Sequence, residues 1–196
     1  MKGNPRFLRT IIASAALAGL TACGGGGNVT NVSVGGTITG LTTGTVTLSN
    51  VLSIVTAPAG TTTFKFPARV SSGLPYSVTV ATQPAEMTCT PTNATGVAGT
   101  TDITNVAVTC KNNRTLGGTI TGLRSNGLVL ANGSMQLTVP AGVPSFRFVK
   151  ALPADSTYGV SVLTQPSDPS GQTCTVSNGA GTIGASDVTS ITVNCI

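Results

Sequence analysis

The sequence predicts an all-β protein, two tandem β-sandwiches preceded by an export signal. Three observations predict it. Short runs alternate apolar with polar residues, as in Tyr76-Ser77-Val78-Thr79-Val80 and Phe64-Lys65-Phe66. That period of two, in runs broken by Gly, Pro and Asn, is the pattern of half-buried antiparallel strands. The same runs occur twice along the 196 residues. No stretch after residue 23 carries a helical period.

The elements follow in chain order. MKGNPRFLR is basic, and TIIASAALAGL after it is apolar and rich in small residues. That order is the n-region and h-region of a secretory signal. The apolar run is too short to remain as a spanning helix. Leu20-Thr21-Ala22-Cys23 resembles the lipobox of bacterial lipoproteins: an aliphatic residue, two small ones, then Cys. The resemblance implies cleavage before Cys23 and acylation of its thiol and new amino terminus. It also implies outer-membrane sorting, because Gly24 stands where an Asp would favour retention in the inner membrane. Two or three acyl chains anchor stably where one is marginal. The glycines at 24–27 form a flexible tether. They are no phosphate loop, since no Lys-Ser/Thr and no helix follow.

GGTITGL stands at 35–41 and again at 117–123, 82 positions apart. The same offset joins Phe64-Lys65-Phe66 to Phe146-Arg147-Phe148, and Thr82-Gln83-Pro84 to Thr164-Gln165-Pro166. SDPSGQT then replaces AEMT, and the offset becomes 85: Cys89 to Cys174, Asp102 to Asp187, Cys110 to Cys195. Surface loops tolerate such insertions. The expected organisation is a signal peptide over 1–22, an acylated Cys and Gly-rich tether over 23–31, and modules over 32–110 and 115–195. A polar linker is expected at 111–114.

In the first module, strands are expected near 32–39, 44–49, 51–56, 62–66, 76–82, 87–91 and 103–110. Short strands so spaced make a sandwich. Gly35-Gly36 and Gly117-Gly118 mark a bulge or sheet switch in the first strand. Modules of this size have marginal cores without a staple. Four cysteines allow three pairings. Equal separations of 21 residues in both copies favour Cys89 with Cys110 and Cys174 with Cys195. Export supplies the oxidising compartment. A metal site is the poorer reading, with no His and no CxxC spacing.

An antibody-type domain is excluded, because it needs a core Trp and a cystine between other strands. The order GTITGL, TVTL, FxF, YxVxV resembles the prealbumin-like, Ig-like modules of carboxypeptidase regulatory domains and collagen-adhesin B repeats. It covers about the first 50 residues of each module. Some such modules form a Lys–Asn isopeptide, but Arg147 stands at the counterpart of Lys65 and cannot do this chemistry. The whole unit also resembles tandem repeats of uncharacterised secreted bacterial proteins ending in TQP…C…C.

The formal charge of +5 falls to +2 once Lys2, Arg6 and Arg9 are set aside. Such a chain lacks the basic footprint of a nucleic-acid binder. Without His there is no ordinary general base and no commonest metal ligand. No catalytic residues, cofactor or metal are expected. Asp102 and Asp187 read as turn or backbone caps. Lys65 and Arg147 point outward if their flanking phenylalanines point in, and are the candidate ligand contacts, for an anionic glycan or lipopolysaccharide. The expected function is a non-catalytic structural or adhesive lipoprotein of the cell surface, its partners the membrane through its anchor and a surface protein. The alternative is a ligand-binding module for glycan or peptide.

Overall fold

A computed structural model describes residues 29–51, 53–169 and 171–196. The expected signal peptide, Cys23 and the glycines at 24–27 lie outside the described residues. The first copy contains β1 (Asn31–Val32), β2 (Val34–Thr39), β3 (Thr45–Asn50), β4 (Ser53–Pro58), β5 (Thr63–Lys65), β6 (Val70–Ser71), β7 (Pro75–Thr82), β8 (Met87–Thr92), β9 (Thr95–Val97) and β10 (Ile103–Arg114). The second contains β11 (Leu116–Thr121), β12 (Leu128–Asn132), β13 (Met135–Val139), β14 (Ser145–Arg147), β15 (Leu152–Pro153), β16 (Thr157–Thr164), β17 (Cys174–Ser177), β18 (Ala180–Thr182) and β19 (Val188–Cys195).

Each copy folds as two sheets face to face. In the first, β5, β2, β10 and β8 form one sheet and β4, β3, β7 and β9 the other. The second repeats this as β14-β11-β19-β17 and β13-β12-β16-β18. First and last long strands run parallel, β2 beside β10 and β11 beside β19, and the other ladders are antiparallel.

The alternation in sequence becomes the inside and outside of these sheets. Val34, Ile38, Val46, Leu48, Phe66 and Val108 are buried in one core. Leu116, Ile120, Leu128, Leu130, Phe148 and Ile191 are buried in the other. Burying each such side chain contributes about 1.5–3 kcal/mol. The phenylalanines of each FxF pair meet edge to face, with ring centroids 5.7 Å apart in the first copy and 6.1 Å in the second. Tyr76 is buried, whereas Tyr158 is only half-buried against its core.

Cys89 stands directly opposite Cys110 on adjacent strands and is bonded to it, and Cys174 is bonded to Cys195 in the same way. The TQP motif braces this staple. The Gln83 amide donates to the Cys89 carbonyl at 2.9 Å and accepts from the Cys89 N–H at 2.7 Å. Gln165 does the same for Cys174, at 3.0 and 2.7 Å. A glutamine thus takes the place of a neighbouring strand for two backbone groups that would otherwise lack a partner.

Two expectations change. The bulge lies in the last strand of each copy, between Ile103 and Val106 in β10 and facing the step from Leu116 to Gly118 in the second copy. The glycines sit opposite it because a Cβ on Gly36 would collide with the Val106 carbonyl, and one on Gly118 with that of Ile191. The segment 111–114 is strand. β10 runs on through it, and Asn113 and Arg114 pair with Pro153 and Leu152 of the second copy. Lys111 forms an ion pair with Asp155 at 3.1 Å across the junction.

Candidate functional site

β2 pairs with β5 on one side and β10 on the other, and this gathers the residues singled out in sequence. Lys65 lies directly across from Gly35. Phe64 and Phe66 are buried, so Lys65 between them projects outward and is exposed. The start of β10 brings Asp102 to the same place. Its Oδ1 accepts the Ser33 backbone N–H at 2.8 Å, and the Ser33 carbonyl accepts the Ile103 N–H at 2.9 Å. Asp102 is therefore a backbone cap between distant segments. It also forms, with Lys65, the walls of a groove of about 290 Å³ floored by Gly35 and Gly36 and edged by Thr37 and Thr63.

The second copy builds the same groove. Arg147 lies across from Gly117. Asp187 Oδ1 accepts the Thr115 N–H at 2.8 Å, and Val188 N–H donates to the Thr115 carbonyl at 2.9 Å. The groove, about 370 Å³, is floored by Gly117 and Gly118 and edged by Thr119 and Ser145. The glycine floor is obligatory, because a Cβ at Gly35 or Gly117 would meet the carbonyl of Phe64 or Phe146.

Electrostatics links the pairs. Hydrogen bonds from Ser33, side chain and then backbone, hold the Asp102 carboxyl below its usual range, with Lys65 and Arg69 adding to the effect. Asp187 is lowered by the Thr115 backbone and then its side chain, with Arg147 and Arg114 adding. Each groove thus sets one carboxylate against one cation, which reduces the attraction for a purely anionic ligand. What it offers is a polar cleft with a donor, an acceptor and flanking hydroxyls, suited to hydrogen-bonding a hydroxyl-rich or zwitterionic molecule.

Sequence reasoning found all four residues but treated Lys65 and Arg147 separately from Asp102 and Asp187. The signal that could have joined them is that both pairs recur at the repeat offsets beside the same diglycine. Among the described residues, no group of three or more His, Cys, Asp or Glu converges. Cys23 lies outside the described residues.

No family model matches the sequence. No curated protein matches it either. Among solved structures, the major pilin protein (T-13) from Streptococcus pyogenes is similar at a TM-score of 0.24 and 12% identity, over 85% of this chain and 96% of that one. A score so low carries neither fold nor function across.

Proposed function

We propose that the chain is a non-catalytic lipoprotein of the bacterial cell envelope, held by acyl groups on Cys23 and serving as a structural or adhesive interaction module. One observation carries this reading: the other four cysteines are bonded to each other in pairs, so Cys23 has no cysteine of its own chain to pair with. It stands at the end of an export signal, in the sequence context of a lipobox. Gly24 directs the sorting to the outer membrane by the same resemblance. Metabolic labelling with a palmitate analogue tests the anchor. Wild type takes up label and fractionates with membranes, and Cys23→Ser loses both. Label that persists in Cys23→Ser sinks the reading.

A second reading is favoured by the duplicated groove. A cation, a capped carboxylate and a glycine floor recur in both copies, and we propose that they bind a glycan or a peptide. Array binding that is equal for wild type and the double variant Lys65→Ser/Arg147→Ser would remove this reading and leave the first intact.

A further inference from the structure

One end of the first sandwich carries apolar side chains in water. Val51 is 66% exposed, Ile54 60%, Leu74 55% and Val97 68%. They lie along one end of a single sheet. Val51 is in the turn joining β3 to β4, and Ile54 follows at the start of β4. Leu74 precedes β7, and Val97 pairs with Pro75 at the end of β9. Val51 and Leu74 also line a largely apolar groove of about 390 Å³, together with Val70 and the exposed Arg69 among others. Val29, 65% exposed, is carried to the same end, because the Ser72 N–H bonds the Thr30 carbonyl at 2.7 Å.

The fold does not require these residues. At the repeat offsets the second copy has Gly133 for Val51, Gln136 for Ile54, Ser156 for Leu74 and Thr182 for Val97. At that end of the second copy β15 pairs with the extension of β10, and Lys111 forms its ion pair with Asp155. In the first copy the matching position belongs to β1, and the chain leads back from it through residues 24–28 to Cys23. Val51 also holds φ at 51°, a left-handed conformation that β-branched residues avoid. An apolar, strained residue at an exposed tip is a pointer to function.

We infer that this end of the first sandwich docks on the lipid bilayer, with Val51, Ile54, Leu74 and Val97 entering the boundary between headgroups and acyl chains. The inference rests on the anchor proposed at Cys23. From Cys23 to Val29 the chain reaches at most about 20 Å when fully extended. The apolar end is therefore within reach of the surface in which the anchor sits. Arg69 beside the groove supplies a cation for anionic headgroups. A surface patch of this kind buries its apolar side chains about 5–10 Å into the boundary region.

The chain has no Trp, so a single introduced Trp reports its own surroundings. Full-chain protein carrying Leu74→Trp, and separately Ser156→Trp, is reconstituted with vesicles of phosphatidylethanolamine and phosphatidylglycerol with brominated acyl chains. Val97→Trp, on an exposed edge strand, replaces Leu74→Trp if that variant does not fold. The expected result is flotation of both proteins with the vesicles. Emission should fall by about twofold at position 74 or 97 and stay unchanged at position 156. Flotation without quenching at 74 or 97 overturns the docking and leaves the anchor standing. Failure of the full-chain protein to float overturns the anchor, and the docking falls with it. Shielding at 74 or 97 that depends on protein concentration, without bromine quenching, overturns the inference in favour of a second copy of the chain.

Discussion

The two sandwiches are nearly the same object in different surroundings. Ladder for ladder, their registers coincide, and so do their cystines, glutamine braces, bulges and grooves. Two of their differences matter most. One is the end described above, apolar in the first copy and polar in the second. The other is the loop after the TQP motif, where the second copy carries its three extra residues. There Gln172 accepts the N–H groups of Arg124 and Ser125 at 2.8 and 2.9 Å and donates to the Gly122 carbonyl at 2.9 Å, bracing a turn of the second copy. Much of what the two copies share is what the fold needs, and what one copy alone carries reports its surroundings.

The largest break in this equivalence comes from removing a staple. Both cystines close loops of the same sequence separation, 21 residues, and both bridge directly opposed positions in matching ladders. Chain-entropy reasoning assigns about 3 kcal/mol to each. Cys89→Ala/Cys110→Ala and Cys174→Ala/Cys195→Ala are each expected to destabilise their own copy by about that amount. Urea denaturation followed by hydrogen exchange reads the copies separately. Loss of protection spread evenly over both copies would mean that the continuous β10 couples them into one unfolding unit.

A smaller effect separates the turns between β3 and β4 and between β12 and β13. Val51 and Gly133 occupy the same turn position, with φ at 51° and 57°. Two-residue hairpins of this kind need positive φ, and Gly supplies it without strain. Val51→Gly is therefore expected to stabilise the first copy by about 1 kcal/mol, and Gly133→Val to destabilise the second by a similar amount. Thermal unfolding of the two variants checks the opposite signs. No gain from Val51→Gly would remove strain as part of the case for a functional tip.

Much of this fold was legible because burial leaves a mark on sequence. Phe64-Lys65-Phe66 and Tyr76-Ser77-Val78 alternate because one face meets the core, and the cysteines kept their spacing because ladder register keeps it. Elements held by backbone alone left no such mark. β9, Thr95–Val97, is exposed at every position and pairs with β7 through main-chain groups. The 111–114 stretch reads as polar because its strand is held by pairing with Met87, Thr88, Leu152 and Pro153. The candidate grooves were half legible. Lys65 and Asp102 each stood out, but only the pairing of β2 with both β5 and β10 brings them to one cleft. The apolar end was missed, because single exposed apolar residues are ordinary and these four are scattered from 51 to 97 until the sheet aligns them.

The smallest expected effect concerns the carboxylates that tie each first strand to the start of its last. Asp102 and Asp187 both have folded pKa values below the ordinary 3.8, through hydrogen bonds from Ser33 and Thr115. The unfolded chain therefore binds protons more readily than the folded one in the window below 3.8. The stability they contribute is fully present above that window and is lost as pH falls through the folded values. Asp102→Asn/Asp187→Asn should flatten the fall in stability on acidification from pH 5 to below 3.8 while leaving its shape near neutrality unchanged. Both carboxylates are exposed to water, so the change is small, and its direction is the test. Because the two copies share the cap, each single variant should remove a comparable share of the acid dependence. An acid profile that Asp102→Asn changes and Asp187→Asn does not would break the equivalence at the one element where cap and groove coincide.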